Sequence, residues 1–140
     1  MVYVDTSVIV ALLTVEPKTA DVVEWFRRLT QPPTSSDWLI TEFASAISIK
    51  VCAGQLSEAQ ARRVRREFDE FASSALRLVG VGRPAFRRAA ELIAQHRHGL
   101  RSGDSLHLAA ALEVGATDIA TLDATLARNA KRNGLAVIAP

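Results

Sequence analysis

The chain has 140 residues, a length at which one domain can bury a hydrophobic core of its own. Hydrophobic residues make up 49% and charged residues 23%, which excludes an intrinsically disordered chain. Cys52 is the only cysteine, so neither an intramolecular disulfide nor a cysteine zinc cluster can form. We therefore predict one domain covering residues 1–140.

The apolar N-terminus does not predict a signal peptide or a membrane anchor. Asp5 interrupts the apolar run, and the first basic residue is Lys18. The run is also much shorter than the roughly 20 residues that a membrane-spanning helix needs. The single cysteine fits a reducing compartment. We expect a soluble, cytoplasmic protein that does not bind membranes.

Short apolar or β-branched segments alternate with longer helical patterns along the chain. The segments Val2–Val4, Leu76–Val79 and Ala136–Ile138 are continuous and mainly apolar, which is typical of strands covered on both faces. The predicted strands are Val2–Val4, Thr34–Ser36, Leu76–Val79, Ile119–Leu122 and Ala136–Ile138. Helices are predicted over Ala20–Leu29 and Leu39–Ala53, from Ser57 as N-cap, from Pro84 to about His96, from Asp104 to Gly115, and from Ala124 to Gly134.

This alternation predicts a three-layer α/β/α domain with a central, mainly parallel sheet of four to five strands. In such a sheet, ligands bind at the edge formed by the carboxyl ends of the strands. Asp5 and Asp123 each end a predicted strand, while Glu42 and Asp104 lie near the start of helices that begin at that edge. We therefore expect these four carboxylates to lie close together.

Capping is the ordinary explanation for an acid at a helix start, and it contributes roughly 0.5–2 kcal/mol. It explains Asp104 and Asp123 about as well as a shared site does. Asp5 is less well explained, because Thr6 or Ser7 could cap the same turn. Glu42 lies beside an apolar stripe, where a half-buried carboxylate needs a partner.

Crowding of the four acids favours a metal site. Two carboxylates about 5 Å apart repel by about 3 kcal/mol at an effective dielectric of about 20. A cation would remove this repulsion, and a set of oxygen ligands without cysteine suits Mg²⁺, with Mn²⁺ as the alternative. A divalent ion in a carboxylate site suggests hydrolysis of phosphodiester bonds.

Arginine is concentrated in two segments, "ARRVRREF" and "AFRRAAELIAQHRHGLR". A guanidinium group matches the geometry of phosphate, although such clusters also occur on ordinary solvated helix faces. The candidates for RNA contact are Arg62, Arg63, Arg65, Arg66 and Arg101.

Four segments together resemble PIN domains, in particular the VapC-type ribonuclease toxins of toxin–antitoxin pairs. They are "YVDTSVIVALL", "ITEFASAI", "GDSLHLAAALEVGA" and "IATLDATLARNAKRNGLAVI", and their order and spacing extend the resemblance over essentially the whole chain. The resemblance implies a Mg²⁺-dependent endoribonuclease that forms a homodimer and is inhibited by a cognate antitoxin.

The resemblance also assigns residues to roles. Asp5 and Asp104 would be the main metal ligands, and Glu42 and Asp123 would bind through water, complete a second ion site or orient the attacking water. Hydroxyl groups at Thr6 and Thr121 would support the acids, unless they serve only as a cap or a strand residue. His107, one turn after Asp104, either faces the cleft or packs in the core.

Three other functions are open to a chain with this pattern. Haloacid-dehalogenase-like phosphatases need a second Asp two residues after the first, where this chain has Ser7. Receiver domains need paired acids early and a lysine late in the chain. A catalytically idle PIN-like module that binds nucleic acid or protein would be favoured by a missing acid, and none is missing here.

Overall fold

The computed structural model describes all residues from Met1 to Pro140 as alternating strands and helices. The strands are β1 (Val2–Val4), β2 (Thr34–Ser36), β3 (Arg77–Val79), β4 (Asp118–Ala120) and β5 (Ala136–Ile138). The helices are α1 (Thr6–Leu13), α2 (Thr19–Arg27), α3 (Trp38–Cys52), α4 (Glu58–Ala75), α5 (Arg83–Ala94), α6 (Ser102–Glu113) and α7 (Ala124–Arg132), with a 3₁₀ turn at His96–His98.

All five strands are parallel and lie in the order β3-β2-β1-β4-β5. Alternation along β1 sends Tyr3 to one face of the sheet and Val4 to the other. The Tyr3 face packs on α5, α6 and α7, and the Val4 face packs on α1 to α4. The predicted three-layer α/β/α architecture is therefore confirmed.

The burial of the strands differs from the sequence prediction. The apolar strands β3 and β5 were expected to be covered on both faces, but they form the two edges of the sheet, and Arg77 and Ala136 are exposed. Polar β2 is fully buried instead. Its hydroxyl groups are satisfied inside the core, since Ser35 Oγ donates to the carbonyl oxygen of Val4 at 2.8 Å.

Two helices were predicted imperfectly because their burial hides the helical period. The helix α1 has four consecutive buried residues, Val8 to Ala11, and its bounds were not predicted. The helix α6 begins at Ser102, two residues before the predicted start at Asp104. Its residues from Ser105 to Ala111 are all buried, so it has no solvated face over that stretch.

The predicted cap at Ser57 is confirmed. Its side chain accepts a hydrogen bond from the amide of Gln60, and Gln60 bonds back to the amide of Ser57. The Pro84 helix begins one residue early, at Arg83, and ends at Ala94. No helix is long and apolar enough to cross a membrane.

Candidate functional site

The carboxyl ends of β1 and β4 and the first turns of α3 and α6 meet at one edge of the sheet. A cleft of about 640 Å³ opens there, and Glu42, Asp104 and Asp123 line it. Asp5 ends β1 beneath the cleft and is 3% exposed. The charges of Asp123, Glu42 and Asp5 all act on Asp104, so the four predicted acids share one neighbourhood. We call this group the acidic edge.

Asp5 has hydrogen-bond partners on both carboxylate oxygens. Its Oδ1 accepts from Ser7 Oγ at 2.7 Å and from the Val8 amide at 3.4 Å, so Asp5 does cap α1. Its Oδ2 accepts from Thr121 Oγ1 at 2.7 Å. Burial raises the pKa of Asp5 from its ordinary value, and these bonds together with the nearby His107 offset part of that rise.

Glu42 is held by donors from two other helices. Its Oε2 lies 2.8 Å from His107 Nε2 on α6, and it also accepts a hydrogen bond from Thr6 Oγ1 on α1. Burial raises the pKa of Glu42, but the hydrogen bond and charge of His107 and the bond from Thr6 outweigh it, so the pKa lies below its ordinary value. The partner that a half-buried glutamate needs is therefore His107.

Asp104 lies near the start of α6, but its environment differs from that of Asp5 and Glu42. The N-cap of α6 is Arg101, so Asp104 does not cap it, and its carboxylate makes no hydrogen bond within the protein. Burial raises its pKa to about 6, and the negative charges of Asp123, Glu42 and Asp5 add to the rise. Three other carboxylates therefore surround the carboxylate of Asp104.

Asp123 has both roles that the sequence left open. Its Oδ1 accepts from the Leu126 amide at 2.6 Å and caps α7, while the side chain also lines the cleft beside Asp104. Thr121 links Asp5 to Asp123, because its Oγ1 donates to the Asp5 carboxylate and accepts from the Asp123 amide at 3.0 Å. Thr6, Thr121 and His107 therefore all contact the acidic edge.

Sequence reasoning missed three residues that shape this edge. Ser7 Oγ donates to Asp5 and accepts from the Leu122 amide at 2.9 Å, which ties the first turn of α1 to the segment after β4. Gly103 lies so close to Glu42 that a Cβ there would be 2.4 Å from Oε1. Trp38 lines the cleft, and its buried Nε1 has no hydrogen-bond partner. A hydroxyl two residues after Asp5 and a glycine before Asp104 were the available signals.

The predicted arginines fall into two groups. Arg101 is exposed and lines the cleft. Those on α4 lie outside the cleft lining: Arg63 pairs with Glu67 at 3.4 Å, and half-buried Arg65 donates to Ser48 at 3.3 Å. Arg62 and Arg66 are exposed and make no salt bridge.

The acidic edge has the donors for a hard divalent ion. Its ligands are carboxylate oxygens, and Asp104 has no partner in the protein to balance its charge. No three His, Cys, Asp or Glu side chains converge into a ready-made metal group. The chemistry of the donor set fits a divalent cation.

Comparison with known proteins agrees with this architecture. The family model described as PIN domain matches residues 2–132. None of the curated proteins matches the sequence.

Several solved structures share the fold. FitAcB from Neisseria gonorrhoeae superposes with a TM-score of 0.77 at 20% identity, covering 100% of this chain and 98% of that one. VapC20 from Mycobacterium tuberculosis, described as a sarcin-ricin loop cleaving toxin, has a TM-score of 0.78 at 15% identity and covers 100% of both chains. VapBC2 from Rickettsia felis, bound to a promoter DNA fragment, has a TM-score of 0.68 at 16% identity and covers 99% and 98%.

Proposed function

This chain belongs to the PIN-domain family, and from that premise we propose that it is a metal-dependent endoribonuclease, the toxin of a toxin–antitoxin pair. The observation that carries the proposal is the acidic edge, where four carboxylates from distant parts of the chain share one neighbourhood and three of them line one cleft. An arrangement that only capped helices would not leave Asp104 without a partner among other acids.

Nucleases of this family generally use divalent metal ions, and we propose Mg²⁺ here, with Mn²⁺ as a substitute. Asp104 and Asp5 are the proposed main ligands. Asp104 has both oxygens free, and Asp5 Oδ2 accepts only one hydrogen bond, from Thr121. The bound ion would polarise a phosphate oxygen, activate water and stabilise the leaving oxygen.

The remaining acids have a complementary part. Glu42 and Asp123 both line the cleft, so each can bind an ion through water, complete a second ion site or orient the attacking water. Thr6 donates a hydrogen bond to the carboxylate of Glu42, and Thr121 donates one to the carboxylate of Asp5. The protein thereby fixes where negative charge lies before substrate arrives.

RNA is the proposed substrate because the relatives in fold include a toxin described as cleaving the sarcin-ricin loop. Arg101 is the arginine best placed to contact a phosphate, since it lines the cleft with Asp104 and forms no ion pair. Arg62, Arg63, Arg65 and Arg66 on α4 are proposed as more distant contacts, available only to a longer RNA.

The proposed partners also follow from the relatives. The resemblance to VapC-type toxins, which belong to toxin–antitoxin pairs, supports an antitoxin partner. We propose that a cognate antitoxin inhibits this chain, that the chain forms a homodimer and that it acts in the cytoplasm. Multi-angle light scattering would test the dimer, and co-purification with the product of a neighbouring gene would test the antitoxin.

The direct test is cleavage of a structured RNA pool with Mg²⁺, with EDTA, and with an Asp104→Asn variant purified identically. We expect cleavage that needs the ion and disappears in the variant. The variant is the control for a contaminating ribonuclease, because contamination would persist in both preparations. Equal cleavage by both proteins would contradict the proposal.

A catalytically idle binding module is the other outcome that this test identifies. It would bind RNA or protein without cleaving, and Mn²⁺ titration followed by electron paramagnetic resonance would separate it from an active toxin with a narrow target. An idle module with no metal site would leave the Mn²⁺ spectrum unchanged.

A further inference from the structure

We propose that His107 is a positioning residue that fixes the Glu42 carboxylate within the acidic edge. This inference rests on the proposed ribonuclease function and goes one step further. It assigns a role to a buried histidine that does not line the cleft and whose side chain is 1% exposed.

A chain of hydrogen bonds connects Glu42 to the middle of the sheet. His107 Nε2 lies 2.8 Å from Glu42 Oε2, and His107 Nδ1 lies 2.9 Å from the Tyr3 hydroxyl. That hydroxyl bonds in turn to Ser36 Oγ on β2 at 2.9 Å. Every member except Glu42 is buried, so strands β1 and β2 serve as a rigid base for the imidazole ring.

The contact with Glu42 determines which ring nitrogen of His107 carries a hydrogen. An ionised carboxylate only accepts hydrogen bonds, so Nε2 must carry a hydrogen. Burial raises the pKa of Tyr3, so its hydroxyl stays protonated. It donates to Nδ1 when only Nε2 carries a hydrogen, and it accepts from Nδ1 when both ring nitrogens carry one. In both arrangements His107 donates to Glu42.

Two further contacts restrict Glu42 from other sides. Thr6 Oγ1 lies 2.9 Å from His107 Nε2 and donates to the same Glu42 oxygen. On the opposite side, Glu42 Oε1 lies so close to Gly103 that no larger residue would fit without displacing it. Glu42 is therefore fixed before any ion or substrate binds, and such preorganisation is what a positioned carboxylate needs to act efficiently.

Three substitutions separate positioning from simple support of the fold. His107→Leu removes the contacts of the ring with Tyr3, Thr6 and Glu42. His107→Gln places an amide donor near the position of Nε2 and should restore the contact with Glu42. Thr14→Val is the matched control, because it removes a buried hydrogen bond, from Thr14 Oγ1 to the Val10 carbonyl at 2.7 Å, at the far end of α1.

The decisive experiment is a double-mutant cycle on kcat for RNA cleavage, combining His107→Leu with Glu42→Gln. Loss of a residue that orients a site ligand typically costs about 10–100-fold, and we expect that loss for His107→Leu. His107→Gln should recover most of it, and Thr14→Val should keep wild-type kcat. In the Glu42→Gln background, His107→Leu should cost less than about 3-fold, because its route to the site is gone.

If the losses of kcat in the two single variants multiply in the double variant, the inference is overturned. Full activity of His107→Leu would overturn it as well. Nuclear magnetic resonance of the ring gives a readout that does not depend on activity. The Nε2–H proton should resonate far downfield, exchange slowly with solvent and change its chemical shift in Glu42→Gln. A chemical shift that is the same in wild type and Glu42→Gln would also contradict the proposal.

Failure of the proposed function would look different. If the wild type cleaves no RNA under any condition, the ribonuclease assignment fails, and the same cycle is read on Mn²⁺ affinity. Coupled losses of affinity would keep His107 as the residue that positions Glu42 in a binding site. Independent losses would overturn that role as well.

Discussion

The acidic edge has two halves that differ in how their charge is satisfied. In the inner half, Asp5 and Glu42 accept hydrogen bonds from Ser7, Thr121, Thr6 and His107. In the outer half, Asp123 gives one oxygen to a helix cap, and Asp104 has no partner at all. The protein itself stabilises the inner carboxylates, whereas the outer ones depend on what enters the cleft.

This contrast explains why the pKa values of Glu42 and Asp104 shift in opposite directions, whereas at Asp5 burial outweighs the hydrogen bonds and raises the pKa. The pKa of Glu42 is lowered because His107 and Thr6 outweigh the cost of burial. The pKa of Asp104 is raised because burial and three neighbouring carboxylates act in the same direction. An unbalanced carboxylate next to a balanced one marks the side on which the proposed cation would bind. Substitutions in the inner and the outer half should therefore differ in their effects on stability and cleavage.

The largest effect is expected for Asp104→Asn in the outer half. Cleavage should fall by about 100-fold or more, because a ligand to the ion is lost. The melting temperature in EDTA should stay the same or rise, since the substitution removes repulsion and breaks no hydrogen bond. Melting curves beside cleavage rates measure both, and clear destabilisation in EDTA would mean that Asp104 supports the fold.

Gly103→Ala should disturb the boundary between the halves. The new methyl group would stand 2.4 Å from Glu42 Oε1, and Glu42 cannot yield easily because His107 and Thr6 hold its other oxygen. We expect a loss of about 1–3 kcal/mol in the free energy of unfolding, measured by urea titration, together with reduced cleavage. Gly82→Ala, where a Cβ meets only Pro84 at 3.4 Å, is the matched control.

Glu42→Gln should lower stability, unlike the outer-half substitution. The amide can still accept from His107 and Thr6, but the bonds lose their charge, which costs about 1 kcal/mol in the free energy of unfolding. Urea titration in EDTA measures this change. If Glu42→Gln were as stabilising as Asp104→Asn, the two halves would not differ and the comparison would fail.

The pH dependence of stability should isolate Asp104. Its pKa is about 6 in the folded protein and near 3.8 when unfolded, so the folded state retains the proton longer. Its favourable contribution is therefore complete below about pH 4 and is lost as pH rises through about 6. In EDTA, the melting temperature of wild type minus that of Asp104→Asn should fall across this window. Parallel curves for the two proteins would contradict the raised pKa.

The smallest expected effect concerns RNA contacts outside the acids. Arg101→Gln should reduce the salt slope of RNA binding by about 0.7, the change for one phosphate contact on a single strand. The α4 double variant, Arg62→Gln with Arg66→Gln, tests whether the RNA extends that far. An unchanged slope in the double variant would assign these arginines to a solvated face. An unchanged slope for Arg101→Gln would remove it from the RNA contacts.

The sequence predicted the fold well because local signals agreed with one another. Capping at Ser57 and the glycines Gly115 and Gly134, with φ of 70° and 86°, placed helix ends to within a residue or two. It did less well on burial. The apolar pattern of β3 and β5 suggested central strands, yet strand order is set by long-range pairing, which no local pattern contains.

The sequence by itself determined that Asp5, Glu42, Asp104 and Asp123 would reach the same edge, because parallel strands send their carboxyl ends in one direction. Only the tertiary structure decided how each acid is satisfied there. His107 could have been a core residue or a cleft residue, and the fully buried α6 gave no period from which to choose. Its ring meets Glu42 because α3, α6 and β1 pack together across 104 residues of chain, from Tyr3 to His107.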